Sequence, residues 1–520
     1  MIEENTPIII GADLVVQKEK DVTKAMSPLD LLVRAAVGAV HDAVGDHSAS
    51  EHLISNIDSV AGLRFITDSP EASSMPFGKY PNPGLSVAKR LGMTVSNSFY
   101  APTGGNTPQF MIGDLAKRIH VGEIKSSLLV GGEGLASIMR SVAAGADKSD
   151  WNDNPDGPLT GYGVDKRGVT DIEAAHGMSF PVNTYPLLEN AHRVSLGRDI
   201  ETHMTSMAEI MSRFTDVAAQ HPHSWFPIAR TPDEIKTVSE ANRWVGFPYP
   251  KYMNSVIQVD QAAAIILTSV GEARRLGIDE SRWVYLHASV DANETWFVSE
   301  RADLHRSYAI KGMSELALET AGWSLDDIDF IDLYSCFPVA VEVACREMGL
   351  AEDDPRGLTV TGGLPYFGGA GNAYALLSVA TMIKKLRDNP GKKGMCTANG
   401  WYLTKHGIGL YSTTPVEGAW VAADSRGLQA RIDAMPKVKV AERPQGEGII
   451  ETYSVIHPAG KPRVGLVIGR LKANQERFIA HIEDRLGWLD AMLSEEFVGR
   501  EGKVSPGANN VNLFEPMDVS

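Results

Sequence analysis

Ser96-Asn-Ser-Phe-Tyr-Ala-Pro-Thr-Gly-Gly-Asn-Thr-Pro-Gln-Phe-Met111 is the stretch on which the fold turns. A short extended run, Asn97 to Ala101, meets Pro102 and then Gly104-Gly105. A helix is predicted to begin at Asn106-Thr107-Pro108, because Asn106 or Thr107 suits an N-cap and a first-turn proline costs nothing. It runs to about His120, with Phe110, Met111, Leu115 and Ile119 along one side. A strand, a glycine turn and a helix N-terminus together aim backbone N–H groups at one point, which suits an anion or a nucleophile. The same pattern also serves as a plain strand-to-helix crossover. No Ser, Cys or Lys stands at the apex in a nucleophile setting.

The second half of the chain echoes this stretch. Thr103-Gly104-Gly105, a helix from Asn106 and a strand at Leu128–Val130 end at Gly131-Gly132. Thr361-Gly362-Gly363, a helix from about Asn372 and a strand at Lys393–Thr397 end at Asn399-Gly400. The helix-to-turn spacing is 25 positions in the first set (106 to 131) and 28 in the second (372 to 400). With a preceding strand and helix also matched, the pattern predicts a duplicated α/β core. Buried apolar strands alternating with helices predict mainly parallel sheets.

Outward from these two turns, Pro7–Val16 reads as the first strand, and Ser27-Pro28-Leu29-Asp30 caps a helix to about Val44. Lys148 to about Gly177 is polar and irregular, a loop insertion, with a helix over Asp199–Gln220 beyond it. Trp225–Asn254 concentrates aromatics and prolines, as either a pocket lining or a lid packed on itself. Asp260–Ser269 is expected to open the second half as a strand, followed by a helix over Arg301–Ala321 and another over Phe337–Met348. After Pro415 the character changes, and from Pro436 to about Ser505 apolar and polar residues alternate between turn signals. That predicts a small antiparallel β-barrel. The divisions are therefore 1–259 with an insertion at about 147–254, 260–415, and 436–505.

A formal charge of −16 argues against nucleic acid or an anionic membrane as partner. No apolar run is long enough to span a bilayer, and the acidic N-terminus lacks a signal pattern. The three cysteines, Cys336, Cys345 and Cys396, read as reduced thiols in a cytoplasmic setting. His176, His192 and His203 show no metal-ligand spacing, so no metal is expected.

The chain resembles the thiolase superfamily, in the branch of the sterol-carrier-protein-type thiolases and the subgroup of thiolase-like proteins type 1. The resemblance rests on Gly104-Gly105-Asn106-Thr107-Pro108-Gln109, Asp260-Gln261-Ala262-Ala263-Ala264 and Asp332-Leu333-Tyr334-Ser335-Cys336-Phe337-Pro338. Gly362 to Gly369, and Asn399-Gly400 with Thr404-Lys405-His406, complete it. It implies a site for coenzyme A or acyl-CoA as substrate and Claisen or retro-Claisen chemistry on β-keto compounds of fatty-acid or aromatic-ketone type. A homodimer through the core and an OB-like C-terminal barrel are further implications.

Thiolases place a cysteine at the N-terminus of a buried helix; the matching loop, Pro102–Asn106, has none. The family's Asn-Glu-Ala-Phe or His-Asp-Cys-Phe motif matches Tyr334-Ser335-Cys336-Phe337, and its Gly-His-Pro histidine falls at about Gly369. Its Cys-x-Gly cysteine falls near Cys396.

The candidates for chemistry are therefore His406, Cys396, Cys336, Tyr334 and Asn399. Candidates for contact with the CoA thioester are Gly104, Gly105, Asn106, Asn254 and Gly369. Cys336 lies where a helix N-terminus acidifies a thiol, or is simply a small core residue. Cys396 reads as proton carrier or core, Asn372 as a donor or a helix cap, and His406 as an acid–base group on a hairpin loop. The expected activity is acyltransferase-like without an acyl-cysteine. A silent CoA-thioester binder, or a subunit needing a partner, is the alternative.

Overall fold

The computed structural model describes residues 2–69, 74–162, 166–485 and 487–517. Nearly continuous burial, as in strands covered on both faces, marks β1 (Pro7–Val16), β2 (Ser59–Gly62), β3 (Asn97–Tyr100) and β4 (Ser126–Gly134), and a short exposed strand, β5 (Thr160–Gly161), follows. The insertion supplies β6 (Trp244–Gly246) and β7 (Tyr249–Pro250). There follow β8 (Asp260–Ser269), β9 (Val284–Asn293), β10 (Phe330–Asp332), β11 (Lys393–Gly400) and β12 (Lys405–Ser412). The C-terminal region adds β13 (Gly446–Ile456), β14 (Val464–Leu471), β15 (Arg477–Ile482), β16 (Glu501–Pro506) and β17 (Asn512–Pro516).

Ten strands form one sheet in the order β10-β11-β12-β9-β1-β8-β4-β2-β3-β5. The order mirrors itself about the β1–β9 seam, where Ile8 faces Tyr285 and Ile9 faces Val284 in antiparallel register. On each side the half's first strand is followed outward by its last, then by the strand carrying the glycine turn. The duplicated α/β core is thus present. Two expectations shift. Parallel pairing is confined to the flanks, β2–β3, β2–β4, β3–β5 and β10–β11, while the strands between β4 and β11 pair antiparallel. Asp260–Ser269 lies between β4 and β1, so by pairing it closes the first half, and the second half's strands begin with β9.

The helices Thr107–His120 and Tyr374–Asp388 touch strands of both halves and each other, forming a central layer. Pro28–Val44 covers β1, β8 and β4 from outside, and Tyr308–Ala321 covers β9 and β12. Ser27 caps the first of these by accepting from Asp30 N at 3.1 Å, and Asp30 reaches back to Ser27 in a capping box. The helix expected from Arg301 starts instead at Tyr308, where Ser307 accepts from Ile310 N. Arg301 is buried, and its guanidinium is committed to the carbonyls of Thr295 and Tyr402.

Strands β13, β14, β15, β17 and β16 close into a five-stranded barrel, because β13 pairs with both β14 and β16. All its pairs are antiparallel except β15–β17, and it extends to Pro516. The insertion hairpin β6–β7 joins its rim through Gly246 and Ile456. Among the described residues no helix is long and apolar enough to cross a membrane.

Candidate active site

The two glycine turns meet. A Cβ on Gly400 would lie 2.8 Å from Asn106 Oδ1, 3.2 Å from Gly104 Cα and 3.2 Å from Gly105 N. A Cβ on Gly105 would sit 2.3 Å from the Tyr334 hydroxyl and 2.4 Å from the Asn399 carbonyl oxygen. Glycine is therefore required at Gly105, where a Cβ would displace the Asn399 backbone, while Gly400 is a tight contact between the halves. Asn372 fixes the contact: its Oδ1 accepts from Gly104 N at 2.8 Å and its Nδ2 donates to Arg64 O at 2.8 Å. It is a bridge between the halves and not the helix cap that the sequence made plausible.

Asn106 is the N-cap of the Thr107–His120 helix, yet its side chain makes no capping bond, and its Oδ1 has no hydrogen-bond partner. With Gly104 N taken by Asn372, the N–H groups of Gly105 and Asn106 have no described acceptor. They point from a helix N-terminus, where a developing negative charge is stabilised.

Asn399 lies across this junction. Its Nδ2 donates to the Tyr185 hydroxyl at 2.9 Å and approaches Cys336 Sγ at 3.7 Å, while its Oδ1 is unpartnered. The Tyr185 ring stacks on Phe337 with centroids 4.3 Å apart. Ser255 N donates to Cys336 O at 3.0 Å, and a Cβ on Gly369 would meet Ser255 Oγ at 2.3 Å, so Gly369 and the Asn254-Ser255 segment border the same place. Asn254 anchors itself through Nδ2 to Pro250 O at 2.8 Å and leaves Oδ1 free. Tyr334 and Cys336 are both buried on this floor.

The thiols are not activated. Burial pushes the Cys336 thiol up to about 12, against the small lowering from Tyr185 and Asn399, so the helix N-terminus does not win. Burial also raises Cys396 and Cys345 far above the ordinary thiol range. Cys396 faces the other side of the sheet from Asn399: it pairs with Asp332 and Gly409, whereas Asn399 pairs with His406.

His406 is not on a hairpin loop. It lies within β12, 2% exposed, and burial pushes its imidazole down to about 3. It is neutral at physiological pH, and its Nε2 has no partner. With Tyr334, Thr397 and Asn399 it lines a cavity of about 10 Å³, the room of roughly one water. A much larger space of about 760 Å³ opens on the barrel, by Trp488, Lys503 and Phe514.

The turn Gly400–Thr404 is strained, with Trp401 at φ 57° and Leu403 at φ 52°. Sequence reading missed what holds it. Arg301 donates to Tyr402 O at 2.8 Å and Thr404 Oγ1 at 2.9 Å; Tyr185 donates to Trp401 O at 2.9 Å and accepts from Leu403 N at 3.2 Å. No local signal marks Arg301 or Tyr185, since each acts across long sequence distances.

Comparison with known proteins places this geometry. A crystal structure of a monomeric SCP2-thiolase like protein type 1 from Mycobacterium smegmatis superposes with a TM-score of 0.83 at 34% identity, covering 99% of this chain and 100% of that one. The chain belongs to the SCP2-thiolase-like proteins type 1. Residues 427–508 match the family model described as thiolase-like protein type 1 additional C-terminal domain, which is the barrel region. An acetyl-CoA acetyltransferase of Methanothermobacter thermautotrophicus is 25% identical over 236 residues, 42% of this chain and 58% of that protein. The chain therefore spans somewhat more than half the length of that curated relative. The Ltp2–ChsH2(DUF35) aldolase shares the fold, with a TM-score of 0.57 at 14% identity over 79% of this chain and 99% of that one.

Proposed function

We propose that this thiolase-like protein binds a CoA thioester or β-keto substrate at the junction of the two glycine turns. There it acts as an acyltransferase-like enzyme, forming or breaking a C–C bond without an acyl-cysteine. The observation that carries the reading is the pair of N–H groups on Gly105 and Asn106, unpaired at a helix N-terminus beside the Tyr334 hydroxyl. Such a group polarises a thioester carbonyl and holds an enolate oxygen; one oxyanion donor is worth roughly 3 kcal/mol. The Asn399 Oδ1, Asn106 Oδ1 and His406 Nε2 acceptors are available to bind a substrate proton or an ordered water. With its imidazole pushed down to about 3, His406 is too weak a base to carry the proton and serves as a neutral acceptor that positions the substrate, and Cys396 faces the other side of the sheet. No thiolate is needed, and none of the buried thiols is disposed to form one.

A second reading, a silent CoA-thioester binder, draws on the near closure of the site around a cavity of about 10 Å³. Mixing the full chain with acyl-CoA or with CoA and a β-keto acid, and following products by mass spectrometry, separates the two. Turnover retained in Cys336→Ala and in Cys396→Ala supports cysteine-free chemistry. Thioester binding without turnover supports the silent reading, and absence of binding removes both. We take the assembly to follow the monomeric Mycobacterium relative rather than the family dimer, which size-exclusion chromatography checks. A cytoplasmic setting agrees with three free thiols.

A further inference from the structure

Apart from the glycine turns, the helices Pro181–Ser195, Ile200–Gln220 and Pro338–Met348 each send one ionisable side chain to a common point. Glu189, His203 and Glu342 are all buried, and one ligand atom from each lies within 4.8 Å of the others. Glu189 Oε1 is 2.6 Å from His203 Nε2, and Glu342 Oε1 is 3.9 Å from the same nitrogen. His192, Glu342 and Glu352 make a second group within the same limit, which places another imidazole at the cluster's edge.

Glu342 is the decisive residue. Its side chain is fully buried and aimed into the cluster, yet neither carboxylate oxygen has a hydrogen-bond partner, and His203 Nδ1 is also unpartnered. A buried carboxylate is an acceptor with about four lone-pair sites, so leaving both oxygens unsatisfied is costly. Arg198 does not cure this: it is 3.8 Å from Glu342 Oε1 and directs its other arm to Glu352 at 3.3 Å. Arg198 and Glu352 balance one another at the rim, so Glu189 and Glu342 meet in the interior with the His203 imidazole as their close partner.

From this geometry we infer that Glu189, His203 and Glu342 form a structural binding site for a divalent first-row cation of the Zn²⁺ or Mn²⁺ class. Two carboxylates and an imidazole are a donor set of that class, and a bound cation fills the vacant lone pairs of Glu342. The nearest surface cavity, about 490 Å³, is lined by Arg198, Ser206 and Glu352 and not by the three ligands themselves, so a cation enters when the Arg198 side chain moves aside. An outer contact is also in place, with the Tyr249 hydroxyl donating to Glu189 Oε2 at 2.6 Å. Tyr249 stacks on Phe337 at 5.5 Å, and Phe337 carries Tyr185. The cation would clamp three helices behind the wall of the glycine-turn site. The expectation of no metal rested on linear spacing, which cannot register ligands separated by 14 and 139 residues (189 to 203 to 342).

The test uses the full chain, freed of metal by chelator and titrated with Co²⁺ as the spectroscopic probe. One Co²⁺ per chain, with visible absorption bands and a raised thermal midpoint, is expected. Glu342→Gln, which keeps the shape and removes the charge, should weaken Co²⁺ by at least about 100-fold. Failure of the wild-type chain to take up Co²⁺ stoichiometrically, or an unchanged spectrum in Glu342→Gln, overturns the proposal. If Glu342→Gln does not fold, the wild-type chain decides alone: a midpoint raised by Co²⁺ and lowered again by chelator supports the site, and an unmoved midpoint overturns it.

Discussion

At the scale of single residues, the proposed chemistry rests on atoms without partners, and this makes it specific. Tyr334→Phe removes one hydroxyl beside Gly105 and leaves the packing ring in place. If that hydroxyl helps to hold a substrate oxyanion, kcat falls by about 10²–10³ while the melting temperature barely moves; steady-state kinetics alongside a thermal melt read both. Gly105→Ala is expected to act on both properties at once. Its Cβ must displace the Asn399 backbone carbonyl as well as the Tyr334 hydroxyl, so the halves are pushed apart at their junction. A loss of about 1–3 kcal/mol is expected in a denaturant titration, together with loss of thioester binding. In both variants the thiols are bystanders, because burial alone keeps Cys336 protonated.

Among the elements, the turn Gly400–Thr404 shows how far local sequence can be read. The strand-turn-helix at Asn97–His120 and the capping box at Ser27 were legible because each depends on neighbours a few positions apart. The duplicated order was legible from repeated spacing. What the chain did not disclose is which strand closes which half: β8 reads like any buried strand until its register with β4 and β1 is seen. Nor could His406 be placed, since a Lys-His pair beside a glycine turn resembles a loop, whereas both residues lie in β12. The left-handed conformations of Trp401 and Leu403 are likewise invisible locally, being imposed by Arg301 and Tyr185 from elsewhere. Arg301→Met should therefore release the turn. It removes the buried donor from Tyr402 O and Thr404 Oγ1 and the part-buried one from Thr295 O, and an expected cost of about 2–4 kcal/mol follows. A lowered denaturant midpoint accompanied by weaker thioester binding would tie this turn to the site; a lowered midpoint with binding intact would separate them.

Across the whole molecule, the barrel is built into the core. Ile456, Leu466, Ile468 and Ile479 belong to the same apolar cluster as the central helices, and Arg477 donates to Ser299 O at 3.0 Å and Arg301 O at 2.6 Å. The Pro181–Ser195 helix is bound to β13 through Asn190 Nδ2 to Tyr453 O at 2.9 Å. Removing residues 436–520 would thus bare a core surface, and such a truncated chain is expected to aggregate on expression. The seam also carries a pH dependence. His176 Nε2 accepts from Asn512 N at 2.9 Å, its ring meets that of His481 edge-on at 5.2 Å, and burial pushes it down from 6.5 to about 4. An imidazole held neutral in the folded chain but free to protonate when unfolded contributes stability that is complete above pH 6.5. That contribution is lost as pH falls from 6.5 to about 4. Glu133, pushed up by burial from 4.5 to about 8, works in the opposite sense across pH 4.5 to 8, which overlaps the same window, so the total curve mixes several groups. Replacement isolates the seam: His176→Gln can still accept from Asn512 N but cannot titrate. Denaturant midpoints from pH 7.5 down to 4.5, an interval chosen to bracket about 2 units of the titration, should fall more steeply for the wild-type chain than for His176→Gln. Parallel curves would mean that the barrel does not open from the core on unfolding, and that the seam histidine sees the same surroundings in both states.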